Sequence, residues 1–266
     1  LKIQLQGACN ARDLGGIVTP QGTIAYGRLI RSDKLNRLTQ QDKVLLQDIP
    51  LTRVIDLRTP SAFAKDPDIL WDGVGYELIT VINKTTFGIT YEGSTGKEIA
   101  DMLQDGVNRM QAKGEIVEGH VQQIYRKLVS EEFSRNAFGT FIKTLAHKPK
   151  EGATLWHCSV GKDRCGTCTA LLLHCLGASK EQILQDYMLT NEQTANSTQG
   201  IIARVKPHLS EKNMALLHSM LTVQQSYLDS FYDEMQQLFG GIDQFIEACG
   251  VTEQDIALLR ANYLQK

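Results

Sequence analysis

The chain has 266 residues, with 28 Lys plus Arg against 30 Asp plus Glu, a formal net charge of −2. That length suits one large domain or two small ones, and 42% hydrophobic with 22% charged residues excludes wholesale disorder. The charge balance argues against a protein that coats nucleic acid or acidic membranes, and no apolar run approaches the roughly 18 residues of a membrane span.

Six cysteines are too few for a disulfide-built scaffold. Cys158, Cys165, Cys168 and Cys175 cluster, whereas Cys9 and Cys249 lie near the ends. Such clustering points to metal binding, redox chemistry or a nucleophile. The sequence starts at Leu1 with no charged leader, as expected of a trimmed chain or of one whose leader has been removed.

In chain order, the first third reads as β/α. Residues 38–47 place Leu38, Val44 and Leu45 around a Thr39 cap, the pattern of a helix. Thr52-Arg53-Val54-Ile55-Asp56-Leu57-Arg58 is a β-branched run ended by Thr59-Pro60, and predicts a buried strand. Residues 76–82 predict a second strand, and the Thr- and Gly-rich stretch 83–97 a loop. Helical spacing returns at 102–109 and 121–129. The whole stretch 83–130 therefore reads as a lid-like insertion able to cover a site.

Ala153-Thr154-Leu155-Trp156-His157 predicts another buried strand, followed by a loop over 158–164. Residues 165–176 are apolar enough for a buried helix stopped by Gly177. Ser179 with Gln182 forms a capping box for the next one. Val223, Tyr227, Phe231, Met235 and Leu238 make a helical stripe closed by Gly240-Gly241. Ile242, Phe245, Ile246 and Cys249 form a short successor, and Thr252 with Asp255 opens a last helix. Stripes of this kind are core rather than cofactor site. The expected fold is one α/β domain over 1–266: a central, mostly parallel sheet flanked by helices, with a helical C-terminal part.

The chemistry concentrates in His157-Cys158-Ser159-Val160-Gly161-Lys162-Asp163-Arg164, a Cys followed six positions later by Arg, between strand and helix. A loop feeding a helix start turns successive N–H groups inward and makes an anion nest. Gly161 permits the tight wrap, and Arg164 offers a planar fork for two phosphate oxygens. A free thiol is only a few per cent ionised at neutral pH. Amide dipoles, the helix start and a guanidinium all favour the Cys158 thiolate. A thiolate under a bound phosphate is a nucleophile in line with phosphorus, so the chemistry implied is phosphomonoester hydrolysis through a phosphocysteine. Neither metal nor cofactor is required, because Arg164 and the amides of Ser159, Val160, Gly161 and Lys162 neutralise the phosphate oxygens.

This loop resembles the phosphate loop of the cysteine-dependent tyrosine phosphatase superfamily. More narrowly, His-Cys-x-x-Gly-Lys-Asp-Arg is similar to the bacterial atypical tyrosine/lipid phosphatases. The resemblance extends to Asn10-Ala11-Arg12-Asp13-Leu14-Gly15-Gly16, Arg31-Ser32, Val54-Ile55-Asp56-Leu57-Arg58, Leu238-Phe239-Gly240-Gly241-Ile242 and Gly250-Val251-Thr252, and so to nearly the whole chain. It implies action on phosphotyrosine, on phosphoserine or phosphothreonine, and on phosphoinositides. It implies Cys158 as nucleophile, Arg164 as phosphate clamp and Asp163 as general acid, then base. Lys162 would be a rim cation for phosphoinositides. His157 would support the nest. Asp56, at a strand end, is the rival acid.

One departure stands out. Where the family has Thr or Ser after the Arg, this chain has Cys165, a poorer donor to the nucleophile's sulfur. Either Cys165 forms a protective disulfide with Cys158 or it is a packed thiol. Two other classes stay open on the residues alone. Cys165-Gly166-Thr167-Cys168 with His174 could be a zinc or redox site, and the fold could serve as an inactive phosphoprotein-binding module. Expected partners are a phosphorylated protein or peptide or a phosphoinositide, with no nucleic acid and no integral membrane segment. A monomer is expected. Free cysteines favour the cytoplasm, with secretion after leader removal as the alternative.

Overall fold

A computed structural model describes residues 1–82, 95–114, 117, 119–147 and 151–266. In chain order, β1 (Arg12–Asp13), β2 (Val18–Thr19), β3 (Gly22–Ile24) and β4 (Leu29–Ser32) precede helix α1 (Gln40–Asp48). Next come β5 (Leu51–Asp56), α2 (Pro60–Lys65), β6 (Gly75–Leu78), α3 (Gly96–Ala112), α4 (His120–Ser130) and α5 (Glu132–His147). Strand β7 (Ala153–His157) leads into α6 (Asp163–Cys175). Helices α7 (Lys180–Val205), α8 (Glu211–Leu221), α9 (Gln225–Phe239), α10 (Ile242–Ala248) and α11 (Glu253–Tyr263) follow, and β8 (Leu264–Gln265) ends the chain.

The main sheet runs β1-β4-β7-β5-β6, with β4, β7, β5 and β6 parallel and β1 antiparallel at one edge. The expected mostly parallel sheet flanked by helices is what forms. Its strands are apolar on both faces because both faces are covered. Val54 and Leu155 enter one core with Leu38 and Leu46 from the α1 side. Their neighbours Ile55 and Trp156 enter the larger core with Phe141 of α5 and Leu171 and Leu172 of α6. A second, three-stranded antiparallel sheet, β2-β3-β8, ties the N-terminal arm to the C-terminus.

Local signals predicted element types better than ends. The capping boxes at Ser179/Gln182 and Thr252/Asp255 both form, and so does one at Thr39/Asp42. The strand expected over 52–58 stops at Asp56, because the Asp56 carboxylate takes the Arg58 amide at 2.9 Å and turns the chain. The strand expected over 76–82 stops at Leu78, level with the end of its partner β5. Val223 precedes α9 rather than joining it, and Leu238 is exposed although it continues the stripe.

The stretch read as a lid-like insertion divides. Residues 83–94, 115, 116 and 118 lie outside the described residues. The apolar faces of α3 and α4 are built into the main core through Ile99, Leu103, Val121, Tyr125 and Leu128. Burial of each such large side chain contributes roughly 1.5–3 kcal/mol, so these two helices help wall the core.

Candidate active site

The loop 158–162 leaves β7 where the strand ends at the rim of the parallel sheet, and α6 begins at Asp163. Gly161 has φ +69°, and a Cβ there would lie 2.4 Å from the Ser32 carbonyl oxygen and 2.9 Å from Asn10 Nδ2. Only glycine fits that turn.

Three side chains from the N-terminal arm hold the loop from outside. Asn10 Nδ2 donates to the carbonyls of Val160 and Gly161, each at 3.0 Å, and Arg31 Nη2 donates to Gly161 O at 2.9 Å. Arg12 Nη1 donates to Asn10 Oδ1 at 2.6 Å and fixes that amide's orientation. Because the peptide is planar, each N–H points opposite its carbonyl. With the carbonyls of Val160 and Gly161 pulled outward, the amides of Gly161 and Lys162 face the hollow.

Behind them, Asp186 of α7 joins both arginines, at 2.8 Å to Arg12 Nε and 2.5 Å to Arg31 Nη1. Burial alone would push this carboxyl up, but Arg31 and Arg12 outweigh it and hold it below the usual carboxylate range.

Cys158 is 2% exposed. Its carbonyl lies 3.1 Å from His157 Nδ1, while His157 Nε2 faces Asp68 Oδ2 at 3.0 Å. Burial would lower the His157 value, yet Asp68 and then Asp56 raise it above the ordinary one. Arg164 is equally sunk. Its Nη2 donates to Ser159 Oγ at 3.2 Å, and its Nε–H is buried with no partner among the described residues. An unpaired guanidinium N–H at the mouth of an amide nest is matched to an anion's oxygen.

Asp163, the first residue of α6, accepts a hydrogen bond on Oδ1 from the Tyr125 hydroxyl at 2.8 Å. Lys162 Nζ lies 3.3 Å from the same oxygen. Lys162 was expected as a rim cation. Lys162 is buried, and its ammonium donates to Met220 O at 2.6 Å and Thr222 O at 3.3 Å. It caps the C-terminal end of α8, whose last carbonyls lack helical partners and attract a cation.

Asp56 sits level with His157 across the β5–β7 pairing. It accepts bonds from the Arg58 amide, from Arg58 Nε and Nη2, and from Tyr76 Oη at 2.8 Å. Burial alone would push the Asp56 carboxyl up, but the charge of His157 and the bonds from Arg58 hold it low. Asp56, Asp68 and His157 are the one described group with metal-ligand spacing. Arg58 Nη2 already bridges the two carboxylates at 2.7 and 2.9 Å, so a guanidinium offsets part of their charge.

Cys165 points its thiol at Trp156 O, 3.7 Å away, and burial pushes that thiol up to about 11. Burial raises the Cys168 thiol too, and His174 pairs with Asp243 at 2.7 Å. Among the described residues, Cys165, Cys168 and His174 do not come together with metal-ligand spacing. None of the six cysteines is joined in a disulfide.

A cavity of about 320 Å³ flanks the loop at Val160 and Lys162, with Cys9, Asp33, Lys34 and Met220 among its walls. Asn10, Arg12 and Arg31 carried motif signals in the sequence but no assignable role. Tyr125, Tyr187 and Asp186 gave none, because single polar residues on amphipathic helices look alike until packed.

A buried cysteine at the base of an amide nest, under an arginine with a spare donor, defines the cysteine-dependent phosphatases. The chain belongs to the tyrosine phosphatase family, whose family model matches residues 3–265. A protein of Cupriavidus necator named as a tyrosine-protein phosphatase is 29% identical to it, over 96% of this chain and 85% of that one. The triple specificity protein phosphatase PtpB of Mycobacterium tuberculosis is 24% identical over 97% of each chain. A tyrosine-protein phosphatase of Nostoc commune is 24% identical over 87% of this chain and 72% of its own.

Proposed function

We propose that this chain hydrolyses phosphotyrosine in peptides and proteins, with Cys158 as nucleophile, Arg164 as clamp and Asp163 as acid and base. The thiolate sulfur bonds to phosphorus as the ester P–O bond breaks, and the leaving oxygen takes the proton of Asp163. Asp163 then takes a proton from water, whose oxygen displaces Cys158 and frees inorganic phosphate. The amides of Ser159, Val160, Gly161 and Lys162 and the Arg164 fork carry the charge on the phosphoryl oxygens. The observation that carries this reading is the buried, unpaired Nε–H of Arg164 beside the nest.

Asp163 is preferred to Asp56 as the acid because Asp56 is saturated by Arg58 and Tyr76 and held ionised. Phosphoserine and phosphothreonine are secondary substrates, a breadth supported by the relative named for triple specificity. Phosphoinositides rank below phosphotyrosine, because the Lys162 ammonium that would meet a second phosphate is spent on α8. The chain acts as one catalytic domain and a monomer, in the cytoplasm, where a nucleophile such as Cys158 stays reduced. Among the described residues, no helix is long and apolar enough to cross a membrane.

The test is hydrolysis of 4-nitrophenyl phosphate in EDTA, followed by a panel of phosphopeptides and phosphoinositides. Activity survives the chelator and falls at least about a thousandfold in Cys158→Ser. Activity retained in that variant overturns the reading.

A further inference from the structure

Asp163 is not held by the loop alone. The Tyr125 hydroxyl from α4 reaches Oδ1 at 2.8 Å, and the Tyr187 hydroxyl from α7 lies 2.7 Å from that of Tyr125. Both tyrosines are about 1% exposed or less, and their rings meet edge to face at 81°. Gly166 makes room for this approach, since a Cβ there would lie 3.0 Å from the Tyr187 ring.

The direction of the hydrogen bonds follows from counting protons. A Tyr hydroxyl has one proton, and Tyr125 gives its own to a carboxylate oxygen that cannot donate when ionised. Tyr187 must therefore donate to Tyr125. Each bond polarises the next, which strengthens the one at Asp163. Burial and the charge of Asp163 push the ionisation of both hydroxyls far above the ordinary tyrosine range, so both stay donors.

Lys162 Nζ lies near Oδ1 as well, at 3.3 Å. One oxygen of Asp163 is thus engaged by a hydrogen bond and an ion pair, whereas Oδ2 has no side-chain partner among the described residues. We infer that Tyr125, backed by Tyr187, is a positioning residue that pins Oδ1 of Asp163 and leaves Oδ2 as the oxygen that passes the proton to the leaving group. This inference rests on the assignment of Asp163 as acid and adds which oxygen works and what aims it. It also ties α4, a wall of the core, directly to the chemistry.

The experiment is single-turnover release of phenol from phenyl phosphate and of nitrophenol from 4-nitrophenyl phosphate. It is run with wild type, Tyr125→Phe, Tyr187→Phe, Asp163→Asn and the Tyr125→Phe/Asp163→Asn pair. Phenol is the poorer leaving group and needs the proton more. Tyr125→Phe should slow the phenyl ester about tenfold more than the nitrophenyl ester, the effect of one hydrogen bond to a charged group. Tyr187→Phe should act in the same direction and less strongly. The pair should be no slower than Asp163→Asn alone, because the tyrosine works through that carboxylate.

Equal slowing of the two esters by both tyrosine variants, or losses that multiply in the pair, overturns the inference. Where Tyr125→Phe does not fold, Tyr187→Phe carries the comparison of esters. Asp163→Asn read by itself separates the two levels. If it too slows both esters equally, the acid assignment fails rather than the tyrosine relay alone.

Discussion

The Lys162 ammonium donates to the carbonyl of Met220 at 2.6 Å, so the phosphate loop and the end of α8 are one structural unit. A residue that the motif marks for substrate also holds a helix terminus. The reason is electrostatic: the last carbonyls of a helix carry partial negative charge and lack N–H partners.

Lys162→Met keeps the apolar stem and removes the ammonium. It should cost about 1–3 kcal/mol of stability, because the carbonyls of Met220 and Thr222 lose their donor. The ratio of phosphotyrosyl-peptide to phosphoinositide turnover should not change. Urea unfolding and kcat/KM on both substrates check this; a selective loss on phosphoinositides would restore Lys162 to the substrate side.

Asp186 should set part of the acid limit of stability. Arg31 and Arg12 outweigh burial and depress its value in the folded state. Its contribution is therefore complete above the unfolded carboxylate value of about 3.9 and is lost as pH falls through the lower folded value. Asp186→Asn leaves Arg12 and Arg31 facing each other and should cost about 3–5 kcal/mol at neutral pH. It should also flatten the decline below about pH 4 that Asp56, likewise depressed, shares. Urea titrations from neutral to acid pH measure both, and wild-type and variant curves that run parallel would clear Asp186 of this role.

Cys165 should behave as a packed thiol. At neutral pH, a thiol whose pKa burial raises to about 11 has only about one molecule in ten thousand ionised. Its proton already goes to Trp156 O. Peroxide should therefore inactivate the enzyme by oxidising Cys158 without joining it to Cys165. Mass spectrometry of peptides taken during inactivation decides, and a 158–165 linked peptide would instead make Cys165 a redox guard.

Much of this architecture is local and was legible in the chain. Val54-Ile55 and Leu155-Trp156 announce strands buried on both faces, and Thr39, Ser179 and Thr252 mark helix starts through hydrogen bonds made within four residues. Element ends were less legible because they depend on partners. Strand β5 stops where the Asp56 side chain captures the Arg58 amide, and β6 stops where β5 does.

The cysteines and charges of the chain divide along the same line. The reactive loop is encoded locally, because the chemistry of Cys158 and Arg164 lies within seven consecutive residues and one turn at Gly161. Its surroundings come from packing. Asn10 and Arg31 meet the loop across as many as 151 positions of chain, Asp186 joins Arg12 behind them across 174, Lys162 turns to α8, and Tyr125 reaches Asp163 from another helix. Such contacts depend on which faces pack together, and no spacing in the chain encodes them.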